Sequence, residues 1–355
     1  QDRATETPVA LTPPERFLHM HPPSKVLRLG HSPDPDDAFL FYGLKAGAVA
    51  AGGFRFRHYL RDIETLNRWA LAGRIEVTAL SLHALAFCRD RYALLRAGGS
   101  FGDGYGPVLV ARRPAATERL KGKRIAVPGL LTTAALVLRF YLPEFVPVVV
   151  RFDRIGEAVR RGRADAGLLI HEGQLTYAAE GFFKVLDLGE RWKAETGLPL
   201  PLGVNAVRRD LGGRTVRAVA GIVRKSLEYG LAHREAALRR AGEFGRGLDA
   251  EGTDRFVGMY ANELSRDMGE RGKRAVRSLL REGARRAMDR IGTIPPFVVH
   301  PPYDFRTQYL AAQSADDKSR QPGVEPVDLH TVKVSGQTQP QQRLALGRLV
   351  EVEGA

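Results

Sequence analysis

One cysteine, Cys88, occurs in 355 residues, so the chain can form no internal disulfide and nothing in it requires an oxidising compartment. It sits in a helical pattern with apolar neighbours, which predicts a buried, inert thiol. Long apolar runs are missing as well. None approaches the roughly 18 uncharged residues of a membrane span, and residues 1–24 are polar, bear prolines and lack the apolar centre of a secretory signal. A disulfide-stapled fold and a chain with membrane-spanning helices are therefore excluded, and a cytoplasmic location is expected. No Walker A sequence, G-x-S-x-G elbow or zinc-type Cys and His spacing occurs. Gly102-Asp103-Gly104-Tyr105-Gly106 precedes a β-branched segment instead of opening a helix, which removes it as a dinucleotide fingerprint. None of these patterns calls for a metal or a nucleotide cofactor.

Acid is the scarcer charge: 40 Asp and Glu stand against 54 Lys and Arg, a formal net charge of +14. Such an excess invites a nucleic-acid reading. It is dispersed, however, and chiefly arginine. Where it concentrates, at Arg277, Arg281, Arg285, Arg286 and Arg290, the acids Glu282 and Asp289 interrupt it. That spacing fits a solvated helix face better than a phosphate-binding stripe, and no nucleic-acid partner is expected.

Hydrophobic residues make up 44% and charged residues 26%, an ordinary globular balance, and the length allows two compact units. Residues 1–24 and 293–355 lack hydrophobic periodicity and read as loose extensions. Between them, short β-branched runs alternate with helical patterns. Strands are predicted at 26–30, 54–59, 76–80, 108–111, 123–127, 148–152 and 166–170. Helices are predicted at 37–46, 63–72, 82–89, 132–142 and 155–161. The alternation predicts an α/β fold of parallel sheets covered by helices. Ligands of such folds bind beyond the carboxyl ends of the strands, so the residues at each strand exit matter most.

Four exits carry polar chemistry. The first is Ser32-Pro33-Asp34-Pro35-Asp36-Asp37, where Asp36 or Asp37 either caps the next helix or meets hydroxyl and keto groups of a ligand. The second is Leu80-Ser81, where Ser81 suits a helix N-cap and the free amides behind it suit a carboxylate or carbonyl oxygen. In the third, Gly129 lets backbone approach a ligand, and Thr132 and Thr133 open a helix. Their hydroxyls and amides either cap that helix or hold a carboxylate without a basic side chain. The fourth is His171-Glu172, directly after an apolar strand. A histidine there faces the crevice and is a competent general base near neutral pH, with Glu172 pointing the other way. A metalloprotease helix would need a second histidine at position 175, which is Leu175.

Taken in order, the motifs resemble one family, the 1,4-dihydroxy-6-naphthoate synthases of the futalosine route to menaquinone. The resemblance lies in Ser32-Pro33-x-Pro35-x-Asp37 and in Glu64-Thr65-Leu66-Asn67-Arg68-Trp69-Ala70-Leu71. It continues in Leu80-Ser81, Ala126-Val127-Pro128-Gly129 and Thr132-Thr133. Further matches are Phe152-Asp153-Arg154-Ile155, Ala166 through His171-Glu172, and Thr196 through Gly203. The matches run from about residue 26 to 211, with a weaker likeness to about 290.

The resemblance implies a periplasmic-binding-protein-like fold of the second type, two α/β lobes closing on a ligand cleft. Residues 25–110 with 202–292 would form one lobe and 111–201 the other. It also implies a cytoplasmic carbon–carbon lyase without cofactor. Such an enzyme cleaves cyclic dehypoxanthine futalosine, a small carboxylate, to the naphthoate and a three-carbon fragment. His171 matches the family's base. Ser32, Asp37, Leu80, Ser81, Thr132 and Thr133 match substrate contacts. The chain departs from the family at Ala79, where a lysine is expected, and at Asp34 and Asp36, where cysteine and asparagine are usual. Two other readings on the same fold are the chorismate dehydratase of that route and a non-catalytic binder of small anions.

Overall fold

A computed structural model describes residues 25–288, so both expected extensions lie outside the described residues. In chain order the strands are β1 (Lys25–His31), β2 (Phe54–Leu60), β3 (Val77–Ser81), β4 (Tyr92–Leu94), β5 (Ser100–Gly102) and β6 (Val108–Ala111). They continue as β7 (Arg124–Val127), β8 (Val146–Val149), β9 (Ala166–Leu169), β10 (Phe183–Asp187) and β11 (Leu200–Arg208). One sheet runs β2-β1-β3-β11-β4, with β5 paired to β11, and the other runs β10-β6-β9-β7-β8.

The sheets are mixed where parallel ones were expected. β1 pairs in parallel with β2 and β3, and β7 with β8 and β9, which are the strands joined by helices. β11 runs antiparallel to β3, β4 and β5, and β6 runs antiparallel to β9 and β10. The sequence hides β11 because Pro201 and Gly203 interrupt it. They are accommodated at an irregularity in its pairing with β5, a place where proline does no harm to a ladder. The strand expected at 148–152 lies earlier, at Val146–Val149, and Phe152–Arg154 is a 3-10 turn. The helix expected at 37–46 is two, Pro35–Leu40 and Tyr42–Lys45, broken at Phe41 with φ −92° and ψ 8°. The Phe41 ring is buried 4.8 Å from that of His31.

The chain passes from the first sheet to the second between Gly102 and Val108 and returns between Asp187 and Leu200. Residues 108–110, assigned to the first lobe from the sequence, belong to the second sheet, and Leu200 and Pro201, assigned to the second lobe, belong to the first sheet. The helix Gly213–Ala232 lays Val216, Val219, Val223 and Leu227 over Leu27, Leu29, Val77 and Val207 of the first sheet. A second cluster joins Leu82 and Leu85, on the helix Leu82–Cys88, to Val137 and Leu138 on the helix Thr133–Tyr141. Each such leucine, removed from water, contributes about 1.5–3 kcal/mol. This packing holds the ends of β3 and β7 toward one another. Cys88 is buried, and burial pushes its thiol up to about 11, which makes it unreactive.

Candidate functional site

The strand exits converge on one cleft. Ser32, Asp36 and Asp37 line it after β1, Ala79 to Ser81 at the end of β3, and Thr132 to Ala134 after β7. Ile170, His171 and Gln174 line it after β9. Apolar surface comes from Ile63, Leu80, Ile170, Leu202, Val204 and Phe256, and no lysine or arginine is among the described residues that line it.

At the first exit the acids do not cap the following helix. Proline at its first position leaves Asp36 and Asp37 within the opening turn, and Asp37 Oδ2 turns back to accept both the amide and the hydroxyl of Ser32 at 2.7 Å. Burial raises the Asp37 carboxyl to about 6, against the two Ser32 donors. Burial, with Asp37 and Asp34 nearby, raises Asp36 well above the carboxylate range, and its Oδ1 has no protein partner.

At the second exit Ser81 begins the helix Leu82–Cys88 without capping it through its side chain. Asn67, fully buried in the helix Ile63–Leu71, accepts the Ser81 amide at 2.9 Å and donates to its hydroxyl at 3.0 Å. At the third exit Thr132 is the N-cap, accepting from Ala135 N at 3.2 Å and donating to Gly129 O at 2.8 Å. The Thr133 hydroxyl donates to Leu202 O at 2.6 Å and accepts from His83 N at 3.2 Å. Both threonine hydroxyls are therefore engaged within the protein. What remains for an anion is the pair of amides opening the helix, Thr133 and Ala134, which have no partner inside it.

His171 has φ 56°, the one non-glycine residue in the left-handed region among the described residues. That conformation costs about 1–2 kcal/mol and sharply redirects the chain after β9. The ring lies edge-on to Phe152, with centroids 4.8 Å apart and planes at 73°. Nδ1 is 3.0 Å from Asp34 Oδ2, an ion-pair distance without hydrogen-bond alignment, while Nε2 is buried with no protein partner. Glu172 turns away to Arg246, whose Nε donates to it at 2.6 Å. Arg246 also donates to the Pro33 carbonyl at 2.8 Å and to Asp34 Oδ1, and its guanidinium stacks 4.8 Å from the centre of the Phe152 ring.

The structure thus gathers Ser32, Asp37, Leu80, Ser81, Thr132, Thr133 and His171 around one cleft. Sequence reasoning missed Arg246, Asn205, Gln174 and Tyr260. Asn205 lies on β11, donates to Gly98 O at 2.8 Å and keeps Oδ1 unpartnered. Gln174 follows His171 by one turn and accepts from Tyr260 at 2.7 Å. Arg246 sits between two glycines in a segment with no periodicity, and only its contacts reveal it.

The two-lobed α/β arrangement, with strand exits of both sheets facing one cleft, is that of the periplasmic-binding-protein-like fold. The alkanesulfonate-binding protein of Xanthomonas axonopodis pv. citri, solved bound to MOPS, shares it at TM-score 0.53 and 14% identity, over 66% of this chain and 84% of that one. A crystallographically determined protein of Archaeoglobus fulgidus matches at TM-score 0.71 and 44% identity, over 74% of this chain and 98% of its own. The family described as menaquinone biosynthesis matches residues 27–285. The chain belongs to that family. Its curated relatives include the 1,4-dihydroxy-6-naphthoate synthase of Thermus thermophilus, 47% identical over 274 residues, which span 77% of this chain and all of the relative. Among the described residues no helix is long and apolar enough to cross a membrane.

Proposed function

We propose that this chain is a cytoplasmic carbon–carbon lyase of menaquinone biosynthesis, converting cyclic dehypoxanthine futalosine to 1,4-dihydroxy-6-naphthoate and a three-carbon fragment, dihydroxyacetone. The observation that carries the reading is His171, which lines the cleft and whose buried Nε2 has no protein partner, in a family whose relative bears that enzyme's name. His171 is the base that starts the reaction by removing a proton. The carbon–carbon bond then breaks toward the electron-poor centre, and aromatisation of the remaining bicycle drives the step. Hydrogen-bond donors near the developing oxyanion stabilise it.

The cleft is polarised in a way that suits such a molecule. The benzoate-type carboxylate takes the Thr133 and Ala134 amides at the helix start, which need no cation. The ring system takes the apolar walls of Leu80, Ile170, Leu202 and Phe256. The polyol takes Ser32, Asp36 and Asp37, whose oxygens exchange hydrogen bonds with hydroxyl groups. The partner is this small molecule alone, with no nucleic acid.

Incubation with cyclic dehypoxanthine futalosine, followed by chromatography for the naphthoate, tests the activity. A protein that binds the substrate and returns it unchanged would be a binder only. His171→Asn keeps a residue type tolerant of left-handed backbone but cannot take the proton. It should lower kcat roughly 100-fold or more with substrate binding nearly intact. Turnover near the wild-type rate would remove the base assignment.

A further inference from the structure

Asp34 and His171 come from different sheets, at the exits of β1 and β9, yet their side chains stand 3.0 Å apart. We propose that Asp34 is the positioning residue for His171, fixing the tautomer that leaves Nε2 unprotonated toward the substrate, and that Arg246 holds Asp34 in place to do so. The proposal rests on His171 being the base. Because the two residues belong to opposite lobes, the working base exists only when the lobes are together, so closure and activation are one event.

The argument is one of donors and acceptors. A neutral imidazole carries one proton, and the partner of one nitrogen decides which nitrogen bears it. Asp34 Oδ2 stands 3.0 Å from Nδ1 and has no hydrogen-bond partner of its own; a carboxylate oxygen only accepts, so a small rotation that aligns the pair keeps the proton on Nδ1 and presents the Nε2 lone pair. Asp34 is fully buried, which is tolerable for a carboxylate only with strong partners. Arg246 supplies them: it donates to Asp34 Oδ1, to the Pro33 carbonyl, and with two nitrogens to Glu172 at 2.6 and 3.2 Å. One guanidinium thereby ties the β1 exit to the residue after His171. The other charged or titratable groups around the ring, Asp36, Asp37 and Glu172, do not compete for Nδ1. Asp37 is bound to Ser32, Glu172 to Arg246, and Asp36 Oδ1 has no protein partner.

Asp34→Asn is the discriminating variant. Arg246 offers only donors, so the amide oxygen must face it and the amide NH₂ must face His171 Nδ1. Nδ1 then becomes an acceptor and the proton moves to Nε2, the wrong nitrogen for a base. We expect kcat to fall at least 100-fold with KM changed less than threefold, in a protein whose thermal unfolding stays cooperative. In ¹⁵N-histidine spectra at neutral pH, the His171 ring should switch from the Nδ1–H to the Nε2–H pattern, assigned by loss of its signals in His171→Asn. Arg246→Lys, which keeps charge but not the fork, should lower kcat less than Asp34→Asn does.

A wild-type ring already protonated at Nε2, or an Asp34→Asn variant turning over near the wild-type rate, overturns the proposal. If Asp34→Asn stays active while His171→Asn is dead, the base stands and only the positioning role fails. If His171→Asn itself stays active, the base assignment fails first and takes the positioning role with it.

Discussion

The Glu64 carboxylate accepts the Leu131 amide at 3.1 Å, tying the helix Ile63–Leu71 beside the first sheet to the loop after β7 in the second. Gly129 makes this possible. A Cβ there would strike the Glu64 carboxylate and its Cγ, so the close approach read from the sequence as room for a ligand is room for Glu64. Burial, against the pull of nearby Arg68, raises the Glu64 carboxyl above its ordinary range.

Gly129→Ala should therefore displace Glu64 and cost about 1–3 kcal/mol, the usual penalty of overpacking a closed contact. Thermal unfolding should show a lower Tm. Gly221→Ala is the control: the site is exposed, mid-helix and open around its Cβ, so the same change should raise stability slightly. Equal effects at the two positions would mean that Gly129 is not held by its neighbour.

Acid should loosen the first lobe through two histidines. His31 Nε2 is 3.0 Å from His58 Nδ1, and burial holds both down to about 4, with His31 adding repulsion at His58. In the unfolded chain they titrate near 6.5. The unfolded state then binds more protons between those values, so their stabilisation is complete above about 6.5 and is lost as the pH falls toward 4. Asp37, raised to about 6, acts oppositely: its contribution is present below about 4 and is lost as the pH rises through 6. Asp36 and Glu64, also raised by burial, act with Asp37, so the test is a comparison: between pH 7 and 4.5, urea unfolding should show a smaller acid-induced loss in His58→Gln than in the wild type. An unchanged loss in that variant would place the acid sensitivity elsewhere.

Thr133→Val should act on stability more than on recognition. It strands the Leu202 carbonyl and the His83 amide, a cost of about 1–3 kcal/mol, while the helix amides remain. Thr132→Val removes an N-cap and should cost about 1 kcal/mol. Product naphthoate binding, measured by calorimetry, should stay within a few-fold for both. A loss of tenfold or more at Thr133 would return the carboxylate to its hydroxyl.

Much of this was legible in the sequence because strand exits announce themselves. A polar residue closing an apolar run, as His171 closes Ala166 to Ile170, has few places to go but the crevice. Thr132 and Ser81 were placed at helix starts by the same logic, and they are there. The distant partners at these exits were not legible: Asn67 at Ser81, Leu202 at Thr133 and Glu64 at Leu131 are linked to them by no local rule. Arg246 fails for the same reason, and β11 because a proline and a glycine break its pattern.

β11 also sets an order of events during synthesis. It lies between β3 and β4 and pairs with β5, so β4 and β5 wait for residues 200–208 before their ladders can form, and until then β3 has only its short parallel pairing with β1. The second sheet needs only residues 108–187, one uninterrupted stretch, and every one of its strands leaves the ribosome before β11 begins. The half of the cleft that carries His171 can thus be built while the half that carries Asp34 is still open-edged, with unpaired backbone exposed for the time it takes to add the missing strand. Pulse-labelled exchange on refolding protein should accordingly protect the amides of β6, β7 and β9 before those of β3, and the reverse order would show that the first sheet forms without its central strand.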